Sequence, residues 1–258
     1  MSDIEIVKLD QGGVNARILA RHAKVDFRRV EGASLKMPTR FTSAEGKRSF
    51  VRMFNTLQLN THFIAVIART RLEHDDIGRI EATLRAQLDT VSANLNQAID
   101  GAEALFKAHG ITRVASYDTV PLDVEVHVLS SFSRRFLEVL GKLDQLMPLL
   151  QTLEIHEVIT PQEVDIQRAG LKRQVRDISN GARNFAIGLR RRMNALDARG
   201  DAAAQEGSHD PDAPPMQGQP TTDDVAVAHQ ADKLPTESVA EAVAVAVAVV
   251  APVPDTVE

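Results

Sequence analysis

The sequence predicts a mainly α-helical protein built from long antiparallel helices, with one short β-ribbon and a disordered acidic C-terminal tail. Three observations carry that prediction. Apolar residues recur at steps of three and four through most of residues 43–197, the period of helices buried along one face. One stretch instead alternates Leu122, Val124, Val126 and Val128 with Asp123, Glu125 and His127, as a half-buried strand does. From Gly200 to Glu258, eleven Asp and Glu face a single cation, Lys233, and seven of the chain's eleven prolines collect there. Such a composition cannot bury enough apolar surface to fold.

The tail changes the meaning of the net charge. It carries −10 of a chain total of −5, which leaves residues 1–199 at +5 and suited to a negatively charged partner. The chain has no cysteine, which excludes disulfides, thiolate metal sites and thiol nucleophiles. The opening MSDIEIVKLDQGG has no basic segment followed by an apolar one, so no secretion signal is read and a cytoplasmic protein is expected. Residues 239–250, VAEAVAVAVAVV, fall short of the roughly 20 residues that cross a bilayer. That run reads as low-complexity drift, or else as a sticky interaction peptide.

Residues 1–40 are basic and loosely patterned, with Arg17, Arg21, Lys24, Arg28 and Arg29, and read as an arm of low order ahead of a helical domain at 41–199. The domain opens at FTSAEGKRSF, where Thr42 and Glu45 have capping-box spacing and Phe50, Phe54, Leu57, Thr61, Ile64 and Ala68 extend a helix over 43–72. A second helix follows from Ile77 through Leu84, Leu88, Val91, Leu95 and Ile99 to Leu105, with Gly110 placed to stop it. The polar LEHDDIG between them marks an antiparallel turn.

The strand at 121–129 needs a partner, and either 111–117 or the same strand of a second copy is expected to supply it. Ser130 or Ser131 caps the next helix, 131–147, which Pro148 should end or kink. In ITPQEVD, Thr160, Pro161 and Glu163 form a strong start signal for a final helix, 161–197. Gly170, Gly181 and Gly188 weaken the continuity of that helix.

Opposite its apolar stripe the final helix carries Arg168, Lys172, Arg173, Arg176, Arg183, Arg190, Arg191 and Arg192, against Asp177 alone. Arg134 and Arg135, just after the strand, extend the set. A row of cations without interspersed acids suits phosphate tracking on duplex DNA. An acidic protein partner, the chain's own tail, or simple solvation are the other readings of the same row. Catalytic patterns are missing: the eight histidines have no metal-ligand spacing, and there is no Walker loop, GxGxxG or GxSxG. HDD at 74–76 reads as a turn, and Tyr117 has no His or Arg pattern beside it to make it a nucleophile. One tyrosine and no tryptophan also disfavour base stacking on single strands. No enzyme, cofactor, metal, membrane partner or small-molecule substrate is expected.

The segment PLDVEVHVLSSFSRRFLEVLGKLDQLMPLLQTLEIHEVITPQE, with RFTSAEGKRSFVRMFNTLQLNTHF upstream, resembles the AcaB-like family of conjugative plasmids and integrative conjugative elements over residues 40–197. The resemblance implies a transcriptional regulator of transfer genes, with a possible ribbon-helix-helix core at 120–197. In that core each of two subunits donates one strand to a ribbon in the major groove, so a homodimer on duplex DNA is implied. The alternative is a non-catalytic helical adaptor of the element, using the stripes at 77–105 and 164–196 for coiled-coil contacts. One feature opposes direct readout: with the valines facing inward, the ribbon presents Asp123 and Glu125 to the groove.

Overall fold

The computed structural model describes residues 13–23 and 33–206. Among these described residues six α-helices and two strands follow one another as α1 (Val14–Ala23), β1 (Leu35–Phe41), α2 (Ala44–Ser49), α3 (Asn55–His62), α4 (His74–Ala108), β2 (Leu122–Val128), α5 (Ser131–Ile155) and α6 (Pro161–Glu206). The fold is mainly helical, as expected. The acidic segment beyond residue 206 and the arm residues Lys24, Arg28 and Arg29 lie outside the described residues.

The helix expected over 43–72 is one continuous stretch but not one regular helix. Two π-helical turns, Phe50–Phe54 and Phe63–Ile67, interrupt it, and the 3₁₀ turn Ala68–Thr70 closes it. A π turn adds a residue to the turn and so rotates the faces on either side. Here Phe50 and Phe54 both reach the core at 1% and 0% exposure. The cap is Ser43 rather than Thr42: its hydroxyl accepts from the Gly46 N–H at 2.9 Å. Thr42 is committed elsewhere, donating from its N–H and hydroxyl to Asp144 Oδ2 at 2.9 and 3.0 Å.

Helix α4 runs 35 residues and buries Ile77, Leu84, Leu88, Val91, Leu95 and Ile99 along one face. It stops at Gly110, whose φ of +65° lets the Ile111 N–H return to the Phe106 carbonyl at 2.9 Å. The ribbon pairs β2 antiparallel with β1, Leu35 opposite Val128 through Phe41 opposite Leu122. This corrects one expectation: the partner within the chain is not 111–117 but a strand from the segment read as a loose arm. Alternation on β2 alone fixes which face is buried and says nothing of the partner, because β1 contains Pro38 and two cations and has no strong alternation of its own.

Helix α5 is capped by Ser130, which accepts from the Ser133 N–H at 3.2 Å. It passes through Pro148 and ends at Ile155. An internal proline costs a helix about 3 kcal/mol, while burying a leucine is worth about 1.5–3 kcal/mol. Leu149, Leu150 and Leu153, all nearly fully buried, outweigh the proline. Helix α5 contacts α2, α3, α4, α6 and both strands, and so forms the centre of the core. In α6, Thr160 and Glu163 complete the reciprocal box, with Thr160 N and Oγ1 each 2.8 Å from Glu163 Oε2. The helix continues without a break past Gly170, Gly181 and Gly188 to residue 206, about 69 Å at 1.5 Å per residue. Its apolar stripe, Val164, Leu171, Val175, Ile178, Ala182, Leu189 and Met193, lies in the same core as that of α4. Among the described residues no helix is long and apolar enough to cross a membrane.

Candidate nucleic-acid interface

The cations of α6 divide by position around the helix. Successive residues turn by about 100°, so steps of four and seven keep Arg168, Lys172, Arg176, Arg183 and Arg190 on one flank over about 33 Å. Two contacts identify what borders that flank. The Ser179 hydroxyl donates to the Met53 carbonyl at 3.3 Å, and the Arg190 guanidinium lies over the Phe63 ring, 4.3 Å from its centre. Both partners belong to the helical stretch 44–70. The cationic flank therefore runs along the seam between that stretch and α6. Arg173 and Arg191, eighteen residues or five turns apart, share an azimuth farther from the core and are exposed.

The structure does not leave all ten predicted cations free. Arg168 is half-buried and donates to Gln151 Oε1 at 2.9 Å. Arg192 turns to the other flank and pairs with Asp76 of α4 at 3.0 Å. Arg134 pairs with Glu138 one turn along α5, and Arg135 with Asp89 of α4. Lys172, Arg173, Arg176, Arg183 and Arg191 make no ion pair with any described residue. These five form the free part of the surface. What the linear pattern missed is the set of anchors, Gln151, Phe63, Asp76, Asp89 and Glu138, which lie on other helices or another turn.

The outer face of the ribbon answers the objection raised by its carboxylates. Register places Arg40 opposite Asp123 and Pro38 opposite Glu125. Arg40 grips Asp123 through two hydrogen bonds, 2.6 and 3.2 Å, and Lys36 reaches Glu125 at 3.4 Å. The hydrogen bond from Arg40 holds the Asp123 carboxyl below its ordinary pKa. Two cations from β1 thus offset two anions from β2. These four charges cancel, in contrast to the α6 flank.

No family model matches the sequence, and no curated protein matches it. Among solved structures, the crystal structure of selenomethionine-containing AcaB from uropathogenic E. coli superposes with a TM-score of 0.57 at 21% identity, covering 71% of this chain and 93% of that one. The chain has the fold of AcaB. That likeness covers nearly the whole of the AcaB chain, and at 21% identity it speaks for the arrangement of elements. The order strand, helix, helix of β2, α5 and α6 is present here, but the ribbon is completed inside one chain by β1.

Proposed function

We propose that the protein binds duplex DNA without catalysing a reaction, and that it regulates transfer genes of a conjugative plasmid or integrative conjugative element. The observation that carries the reading is the unpaired cationic run on α6: Lys172, Arg173, Arg176, Arg183 and Arg191. Like charges one turn apart on a helix are destabilising by a few tenths of a kcal/mol per pair. By contrast, Arg69, Arg71, Arg79 and Arg85 are each matched by a carboxylate. A run left unmatched is suited to an external polyanion. The likeness to AcaB supports the regulatory setting, and a cytoplasmic location belongs to the same proposal.

A homodimer belongs to the same proposal. Along its β1 side β2 is paired, and no described residue bonds to the backbone of its other edge. That edge offers a second copy's β2 a place to add, whereas Pro38 denies β1 one backbone donor. The coiled-coil adaptor reading has little surface left, because most of the stripes at 77–105 and 164–196, exposed Leu196 apart, packs into the chain's own core.

The test is a titration of the full chain against a random duplex and against DNA from upstream of its neighbouring genes, at two salt concentrations. Five phosphate contacts correspond to a slope of log affinity on log salt of about −4 to −5. Tighter binding to the upstream DNA, with that slope, supports the regulator. Failure to bind either duplex at low salt overturns the proposal.

A further inference from the structure

The stretch that packs against the cationic flank of α6 carries no acid beyond Glu45 in its first turn. From Gly46 to Leu72 there is no Asp or Glu, and from Ile178 to Leu196 there is none either. These two segments meet at the Ser179–Met53 hydrogen bond and at the Arg190–Phe63 contact. Within 46–72 the buried Lys47 is held by the Val120 carbonyl at 2.6 Å, Arg69 by Glu81 and Arg71 by Asp197. Arg48 and Arg52 are left, both exposed and neither with a partner among the described residues. They stand one turn apart, and Arg52 immediately precedes the residue whose carbonyl receives Ser179. On the α6 side, Arg176 and Arg183 stand one turn before and one turn after Ser179.

We infer that Arg48 and Arg52 form the second wall of the duplex-binding surface, so that phosphates lie in the seam between the stretch 44–70 and α6 rather than on α6 alone. The inference rests on the duplex-DNA reading above and adds two residues to it. A two-walled cationic seam fits the sugar–phosphate backbone, which presents charge at regular intervals along a line. An acidic peptide has no such regularity to match a row held straight by one helix.

The experiment uses the full chain and a random-sequence duplex, comparing the unmodified protein, the pair Arg48→Ala/Arg52→Ala, and a control pair, Arg79→Ala/Lys107→Ala. The control removes the same two charges from exposed positions on α4. The expected result is that the Arg48/Arg52 pair loses about tenfold in affinity at 0.1 M salt and about two units of salt slope. The control pair should keep the original slope, and circular dichroism should be the same for all three proteins. If the unmodified chain binds and the Arg48/Arg52 pair titrates like it, or if the control pair loses as much, this inference falls and the α6 surface stands. If the unmodified chain binds polyglutamate and no duplex, the DNA reading falls and takes the inference with it.

Discussion

The carboxylate of Asp144 holds Ser43 by two hydrogen bonds on a single oxygen, 2.8 Å from the Ser43 N–H and 2.6 Å from its hydroxyl. The other oxygen takes the N–H and hydroxyl of Thr42. Ser43 then accepts from Gly46, so a residue of α5 sets the cap that starts α2. Asp144 is 6% exposed, and its removal leaves four donors without an acceptor in the core. Asp144→Ala should lower unfolding free energy by about 3–5 kcal/mol, read by urea denaturation. A loss under about 1 kcal/mol would show that water replaces the carboxylate.

Gly46 sits against the same carboxylate. A Cβ there would lie 2.2 Å from Asp144 Oδ1 and 2.8 Å from its Cγ, closer than atoms can approach. Elsewhere in a helix, replacing Gly by Ala stabilises by up to about 1 kcal/mol. Gly46→Ala should have the opposite sign and destabilise by about 2–4 kcal/mol. An unchanged or raised melting temperature contradicts the close packing of α2 on α5.

Helix α1 is docked by Ile18, by Asn15, whose Nδ2 donates to the Val120 and Pro121 carbonyls at 2.9 and 3.1 Å, and by His22 against the Phe50 ring. Burial, and secondarily the charge of His127, lowers the pKa of His22 below 6.5. As pH falls below 6.5, the unfolded chain takes up the proton before the folded one does. Stability is therefore retained above that pH and lost progressively down to the folded-state pKa. Urea midpoints measured from pH 7.5 to pH 5 should fall more steeply for the native chain than for His22→Gln. Parallel curves would mean that the docked ring does not resist protonation.

The triple variant Arg176→Ala/Arg183→Ala/Arg191→Ala removes three unpaired cations without breaking any described ion pair. Replacing Arg190 or Arg192 instead would disturb the Phe63 contact or the Asp76 pair. The triple variant should keep its melting temperature within a few degrees, lose most duplex affinity, and flatten the salt slope by about three units. Duplex binding equal to that of the native chain would remove α6 from the interface.

Local signals were legible in the sequence and distant ones were not. The Thr160–Glu163 box and the Gly110 stop work within a few residues, and both stand where the pattern put them. The cap at 42–43 was off by one residue because the decisive acceptor, Asp144, is about a hundred residues away. Pro148 looked like a terminator because its local cost is visible, whereas the three leucines beyond it gain their energy only from tertiary burial. The same holds for the surface. Charge along α6 could be read directly, but which cations are spent on Asp76, Asp89, Glu138 and Gln151 depends on packing. The acid-free run at 46–72 was present in the sequence, but it gains meaning only from its contact with α6.

The pairing of β1 with β2 joins Phe41 to Leu122 and closes a loop of some eighty residues, which contains α2, α3 and α4. Closing so long a loop carries an entropic cost that contacts within and between neighbouring helices do not share. In kinetic terms the ribbon should be a late element, assembled after the helices that bring its strands together. In exchange terms it is an early one to open: β2 amides should trade hydrogen for deuterium faster than those of central α5. The neutral face formed by Arg40 and Asp123 is then a property of the finished fold alone, and each opening of the ribbon briefly separates the two solvent-exposed charges.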